Sequence, residues 1–329
     1  MDMMKSFSFV LLAAILLLLL SCEKEITVDL PQAEKQIVVE GSIFPNEFPL
    51  VLLTWTQGYF DPTDINSLQN IFVHDADVTL YANGTPYPLI EFCSSDLNPA
   101  ELEAASAALG VSVEALQQLD LCLYTSFALT GAENTVYRIE IKKDEYFIQG
   151  ETKIPGLVEL DTVYFDILNP DVQDTLGILY GRLTDPDSVG NAYRWFAKRI
   201  NHYPMNVPDE DLRGRQKDLT FIAPFGSVYD DSFFNGLSFE FAYPRGIESN
   251  STKFDDNNEE RAYFKVGDTV AIRGCTIDRS AYKFIRSMES QIGNQGSPFA
   301  IPFNLESNLT GGLGAFIGYG AIYDTLVCD

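Results

Sequence analysis

Apolar and polar residues alternate with a period of two through much of the chain up to about residue 155, the pattern of strands with one buried face. Gln36 to Ser42 (QIVVEGS) and Leu50 to Trp55 (LVLLTW) read as strands. Val73 to Tyr81 turns Val78 and Leu80 inward, and Asn83-Gly84 then signals a tight turn back into Pro86 to Phe92. Leu123 to Leu129, Val136 to Lys142 and Phe147 to Ile154 continue the series. Short strands at this spacing predict an antiparallel sandwich.

One stretch breaks the rhythm. Asn98-Pro99-Ala100-Glu101 is a helix start, with Asn98 as cap and Pro99 in the first turn. Gly110 stops that helix, and Ser112 caps a second one, Val113 to Leu119. Residues 98–120 therefore read as a helical hairpin inserted in a strand connection, flanked by Cys93 and Cys122. Ile154-Pro155-Gly156 reads as a hinge. Beyond it, Leu160 to Ile167, Leu176 to Leu183 and Ala192 to Asn201 are predicted strands, as is the return from Tyr229 to Tyr243. Asn206 to Asp218 and Lys253 to Glu260 are polar loops, and Tyr263 to Arg273 is a strand pair or bend. Arg279 to Ile292 is an amphipathic helix with Asp278 as cap and Tyr282, Ile285, Met288 and Ile292 on one face. The apolar tail, Gly314 to Val327, is expected to form a final strand pair. The fold class is thus mainly β: an N-terminal sandwich over 35–155 and a second antiparallel β domain over 156–329 with one amphipathic helix.

The amino terminus carries a different signal. Lys5 precedes an apolar run, Phe7 to Leu20, which is short for a membrane span of about 20 residues but suits a signal-peptide core. The run ends in Leu19-Leu20-Ser21-Cys22, a lipobox: an aliphatic residue three before the cysteine and a small one just before it. Residues 1–21 are therefore read as a leader. Cys22 is the lipidation site, its thiol taking a diacylglyceryl group and its freed amine a further chain; two or more chains anchor stably where one does not. Residues 22–34 form an acidic tether that opens with Glu23-Lys24-Glu25.

Charge narrows the partners. With 47 acidic against 22 basic residues the formal charge is −25, which repels nucleic-acid backbones and anionic membrane surfaces. Hydrophobic residues at 46% and aromatics at 12% fit a globular, strand-rich body. Of five cysteines, four remain beside Cys22: Cys93, Cys122, Cys275 and Cys328. An even number in an oxidising compartment suggests two disulfides, and of the three pairings Cys93–Cys122 with Cys275–Cys328 keeps each bridge within one half.

Motifs that carry chemistry are few. C-x-x-C spacing is absent and the histidines are only His74 and His202, so neither a zinc site nor a Ser-His-Asp triad is read, and no cofactor is expected. Asp185-x-Asp187-x-x-Gly190 lacks the later ligands of a calcium loop and reads as a turn; Asp255 to Glu260 reads as a solvated loop. Gly311-Gly312-Leu313-Gly314 lacks the Lys-Ser/Thr of a phosphate loop and reads as close backbone packing. Trp55 and Trp195 could form a sugar platform, but core packing is the simpler reading.

Five segments in order, Cys22-Glu23-Lys24-Glu25, Ile37 to Gly41, Asp75 to Val78, Asp231 to Gly236 (DSFFNG) and Ser307 to Phe316, make the sequence resemble the Bacteroidota lipoproteins grouped as domain of unknown function 4249. The resemblance implies an outer-membrane lipoprotein of the kind often encoded beside TonB-dependent receptors, with an immunoglobulin- or transthyretin-like N-terminal half. Glu23, Lys24 and Glu25 then resemble a surface-export signal. It implies no catalytic residues. The function expected is a binding or accessory subunit of a TonB-dependent transporter in nutrient uptake, cell-surface-facing, with the ligand open. A surface hydrolase acting on glycans or peptides and a structural adhesion protein are the alternatives.

Overall fold

The computed structural model describes residues 34–58, 61, 64–109, 111–168, 175–200, 218, 220–246, 262–294 and 305–329. The leader, Cys22, Glu23, Lys24, Glu25, His202 and the loop Asp255 to Glu260 lie outside the described residues. The protein is mainly β, with one large curled sheet, a second small sheet and few helices.

Alternation translates directly into strand faces. In β1 (Ile37–Ile43), residues 37, 39, 41 and 43 are buried and those between are not. Next come β2 (Leu50–Trp55), the short helix α1 (Ile65–Gln69), β3 (Asp77–Ala82) and β4 (Thr85–Cys93). β3 starts later than expected: Asp75 sits at φ 53° and turns the chain, so Val73 to Ala76 precede the ladder. Asn83 and Gly84 take positive φ in the hairpin turn, as a two-residue connection requires. The insert forms α2 (Pro99–Leu109) and α3 (Val113–Leu119). Asn98 Oδ1 accepts from the Ala100 and Glu101 amides, and Glu101 Oε2 accepts from the Asn98 amide, a capping box. β5 (Cys122–Thr125), β6 (Thr135–Lys143) and β7 (Tyr146–Ile154) follow.

The second half supplies β8 (Leu160–Ile167), β9 (Leu176–Thr184), β10 (Ala192–Arg199), β11 (Val228–Asp230), β12 (Ser238–Tyr243), β13 (Phe264–Lys265) and β14 (Thr269–Ile277). Asp231 to Leu237, expected within a strand, is instead a 3-10 turn and a bend, as its Asp-Asp-Ser and Asn-Gly residues favour. Helix α4 (Arg279–Gly293) buries Ala281 and Ile285, while Ile292, expected on the packed face, is 42% exposed. After β15 (Leu309–Thr310), the tail is one 15-residue strand, β16 (Leu313–Val327), rather than a pair.

That last strand organises the sheet. The order is β11-β10-β14-β16-β1-β2-β5-β4-β3-β6-β7-β15, so β16 runs parallel to β1 on one side and antiparallel to β14 on the other. Strands from both sides of Ile154-Pro155-Gly156 belong to it, and residues 35–329 form one compact unit. The small sheet joins β12, β9 and β13, with β8 also paired to β9. The first core lies inside the curl of β1 to β7 and takes in Leu309 and Phe316 from the chain end. A second core lies between β10-β14-β16 and α4, and a third behind Trp195, Tyr243, Val270 and Ile272.

Cys93 and Cys122 are joined by a disulfide at the base of the insert. The Cys275–Cys328 bridge is not formed: both thiols are free and buried. The ladder explains why. The Cys328 amide donates to the Asp268 carbonyl, just before β14, and Cys275 lies seven residues further along the extended chain. At about 3.3 Å per residue this separates the two by roughly 23 Å, against a limit of about 7 Å for a disulfide.

Candidate functional site

A cleft of about 420 Å³ opens where β7, β14, α4 and the β9–β10 connection meet. The volume falls in the usual range for small-molecule sites, about 300–1,000 Å³. Its floor is Thr276 to Arg279, its near wall Lys153 and Pro155 to Val158 with Asn134, and its far wall Pro186 to Ala192.

One carboxylate ties floor to wall. Asp278 caps α4, with Oδ1 accepting from the Ala281 amide at 2.8 Å. Its Oδ2 accepts from the Lys153 amide at 3.0 Å and from Thr152 Oγ1 at 2.8 Å. Thr276 Oγ1 adds a bond to the Gly156 carbonyl at 2.8 Å. The segment read as a hinge is thus clamped to β14 and α4 from both ends.

The far wall is built on two buried aspartates. Asp231 Oδ2 accepts from the Gly190 and Asn191 amides. Asp185 accepts from the Tyr193 hydroxyl and from the Gly236 amide. Burial, and then the hydrogen bond to the Asp185 carboxylate, push the Tyr193 phenol well above its ordinary range. The Asp185-x-Asp187-x-x-Gly190 stretch is therefore a turn whose acid points inward. Gly190, at φ 103° with open space where a Cβ would stand, offers bare backbone beside the cleft.

Two cations flank this concavity in a chain of net charge −25: Lys153 and Arg279. The Arg279 side chain is 46% exposed and reaches Asp230 at 2.8 Å and Asp231 at 3.8 Å. With Asn134, Ser188 and Asn191 alongside, the lining suits a small hydrophilic ligand bearing hydroxyl or carboxylate groups. The carboxyls and thiols that desolvation shifts upward, Asp218, Glu289, Cys275 and Cys328, do not line it.

The residues singled out from the sequence fall elsewhere. Trp195 is 1% exposed and packs against Phe241 and Tyr243, so it is core; Trp55 lies edge-on to Tyr146. His74 Nδ1 lies 2.7 Å from Glu91 Oε1. Gly311 and Gly314 take positive φ, and a Cβ at either would stand 2.1 and 2.0 Å from the Phe147 and Val39 carbonyl oxygens, so this run is close backbone packing. The cleft residues were not found from the sequence. Pro155-Gly156, the Gly190 turn and the Asp278 helix cap carried local signals, none of which pointed to a cleft; the second set of Asp278 bonds crosses 125 and 126 positions.

Among the described residues no helix is long and apolar enough to cross a membrane. A family model described as a domain of unknown function (DUF4249) matches residues 23–321. No curated protein matches the chain. Among solved structures it is similar to the cycloalternan-degrading enzyme from Trueperella pyogenes in complex with cycloalternan, at 9% identity and a TM-score of 0.21. That alignment covers 86% of this chain and 34% of the enzyme, so the chain spans about a third of that protein. At such a score the likeness carries no argument.

Proposed function

The chain belongs to the domain of unknown function 4249 family, and from that premise we propose that it is an outer-membrane-anchored lipoprotein of Bacteroidota type that acts as a binding or accessory subunit of a TonB-dependent transporter in nutrient uptake. The observation that carries the binding role is the cleft, where Lys153, Arg279 and the bare backbone of Gly190 meet in a strongly acidic chain. Small hydrophilic nutrients, carboxylated or hydroxylated, match that lining. The lipobox ending at Cys22 supports the anchor. The Cys93–Cys122 disulfide supports an oxidising, extracytoplasmic setting. Glu23, Lys24 and Glu25 support display on the outer face.

The test is purification of the tagged full chain from its native outer membrane in mild detergent, with mass spectrometry of whatever accompanies it. A near-stoichiometric TonB-dependent barrel is the expected result. Recovery of the chain alone, under conditions that keep other barrel–lipoprotein pairs intact, overturns the reading and makes glycan and peptide hydrolysis the next screen.

A further inference from the structure

Four side chains from three separate segments meet beside the helical insert. Glu91 and Cys93 share one face of β4, Cys122 opens β5 directly opposite Cys93, and the turn at Asp75 brings in His74. One ligand atom from each, the His74 nitrogen, a Glu91 oxygen and the two sulfurs, all lie within 4.8 Å of one another. Glu91 is held in place: Oε1 lies 2.7 Å from His74 Nδ1 and Oε2 accepts from the Asp75 amide at 2.8 Å. Cys122 is buried, while the His74 side chain is 50% exposed and leaves the corner open to solvent on one side.

With the disulfide formed, the sulfurs are spent on each other. Reduced, the corner offers two thiolates, an imidazole and a carboxylate, a borderline-soft set of four that suits zinc. Zinc bonds of about 2.0–2.3 Å require ligand atoms roughly 3–4 Å apart; His74 and Glu91 lie within 4.8 Å of the sulfurs, and the two bonded sulfurs part toward that spacing when the disulfide is cut. The disulfide is not the sole tie between the two strand ends. The Ser94 amide donates to the Leu121 carbonyl at 2.9 Å, Ser94 Oγ to the Leu116 carbonyl at 2.6 Å, and the Ser95 amide to Asp120 Oδ1 at 3.0 Å. The β4–β5 ladder continues from Cys93–Cys122 to Ile90–Thr125. Both thiols therefore stay side by side when the bond between them is cut.

We propose that His74, Glu91, Cys93 and Cys122 form a redox-gated site for a zinc-class divalent cation, closed by the disulfide and opened by a dithiol reductant. The dithiol passes two electrons and two protons to the two sulfurs and leaves as its own disulfide. Zinc then binds both sulfurs as thiolates, and their two protons go to solvent. The insert is pinned by a disulfide in one state and by a metal in the other. The proposal is independent of any transporter role.

The test uses the full chain, oxidised or reduced with a dithiol and desalted anaerobically, titrated with zinc alone and with cobalt(II) as a spectroscopic probe. One zinc per reduced chain is expected, with a thiolate-to-cobalt charge-transfer band, and no comparable binding to the oxidised chain. Cys93→Ser weakens the band and the double variant Cys93→Ser, Cys122→Ser removes it. His74→Ala and Glu91→Gln each weaken zinc at least about tenfold, whereas Cys275→Ser leaves binding unchanged. Equal binding in both redox states overturns the proposal. So does a thiolate band that survives loss of both Cys93 and Cys122, or a reduced wild-type chain that binds no zinc or loses its fold on reduction; that last comparison needs no variant.

Discussion

Substituting Asp278 separates the two jobs of one carboxylate. Oδ1 caps α4 through the Ala281 amide at 2.8 Å and also accepts from Ser280 Oγ at 2.5 Å. Oδ2 straps the helix to the cleft wall through the Lys153 amide and Thr152 Oγ1. Asp278→Asn keeps one acceptor for the cap but turns an amide nitrogen, itself a donor, toward two donors. Asp278→Ala removes both functions. At a net of about 1 kcal/mol per hydrogen bond, the Asn variant loses about 2 kcal/mol. Loss of the cap adds about 1 kcal/mol, so the Ala variant loses about 3 kcal/mol. At about 2 °C per kcal/mol for a chain of this size, Tm falls by about 4 °C and about 6 °C. Urea denaturation of the full chain, followed by circular dichroism, measures the loss, and hydrogen exchange at the Lys153 amide locates it. An Asn variant as stable as the wild type, with Lys153 equally protected, refutes the strap. An Ala variant no weaker than the Asn variant refutes the cap.

Phe316→Ala, which empties a fully buried site in the first core, is expected to cost about 3–5 kcal/mol, read from the denaturation midpoint; a loss below about 1 kcal/mol contradicts the packing of β16 into that core. Burial pushes both Cys275 and Cys328 up to about 12, so the native chain at mildly alkaline pH should resist iodoacetamide at both positions and label at both once unfolded; peptide mapping reads this, and native labelling of either refutes it. Glu289 is raised chiefly by burial, so its ionised form costs stability above the folded-state value and nothing below the unfolded one. Glu289→Gln should therefore raise Tm at neutral pH and leave it unchanged near pH ~4; an equal shift at both pH values removes the ionisation argument.

Strands with one wet face were legible. β2, β8 and α3 run over the residues the pattern predicts, because period-two alternation and a Ser cap are local signals. β16 was misread because it is central. Residues 315–321 are buried on both faces, so alternation vanishes and the glycines imitate breaks. Gly318 and Gly320 are instead needed for close approach, since a Cβ would stand 2.7 Å from the Lys153 oxygen and 2.3 Å from Thr276 Oγ1. The free Cys275 and Cys328 escaped an even-number argument because pairing depends on ladder register, which cysteine counting does not contain. The cleft was illegible for a related reason. Asn134, Lys153, Gly190 and Arg279 come together only through sheet order, and the turn pattern that holds Gly190 says nothing of the other three.

The parallel pairing of β1 with β16 sets the tempo of folding as well as the shape of the sheet. Val38 finds its neighbour in Leu313, and the first core closes only when Leu309 and Phe316 arrive. Nearly the whole chain must be synthesised before the amino-terminal strands can settle, and contacts so distant in sequence form slowly. Until then β1 presents an unpaired edge, the kind of surface that chaperones hold and that aggregation exploits. Wherever the chain folds, the strand that closes its first core is among the later ones to arrive.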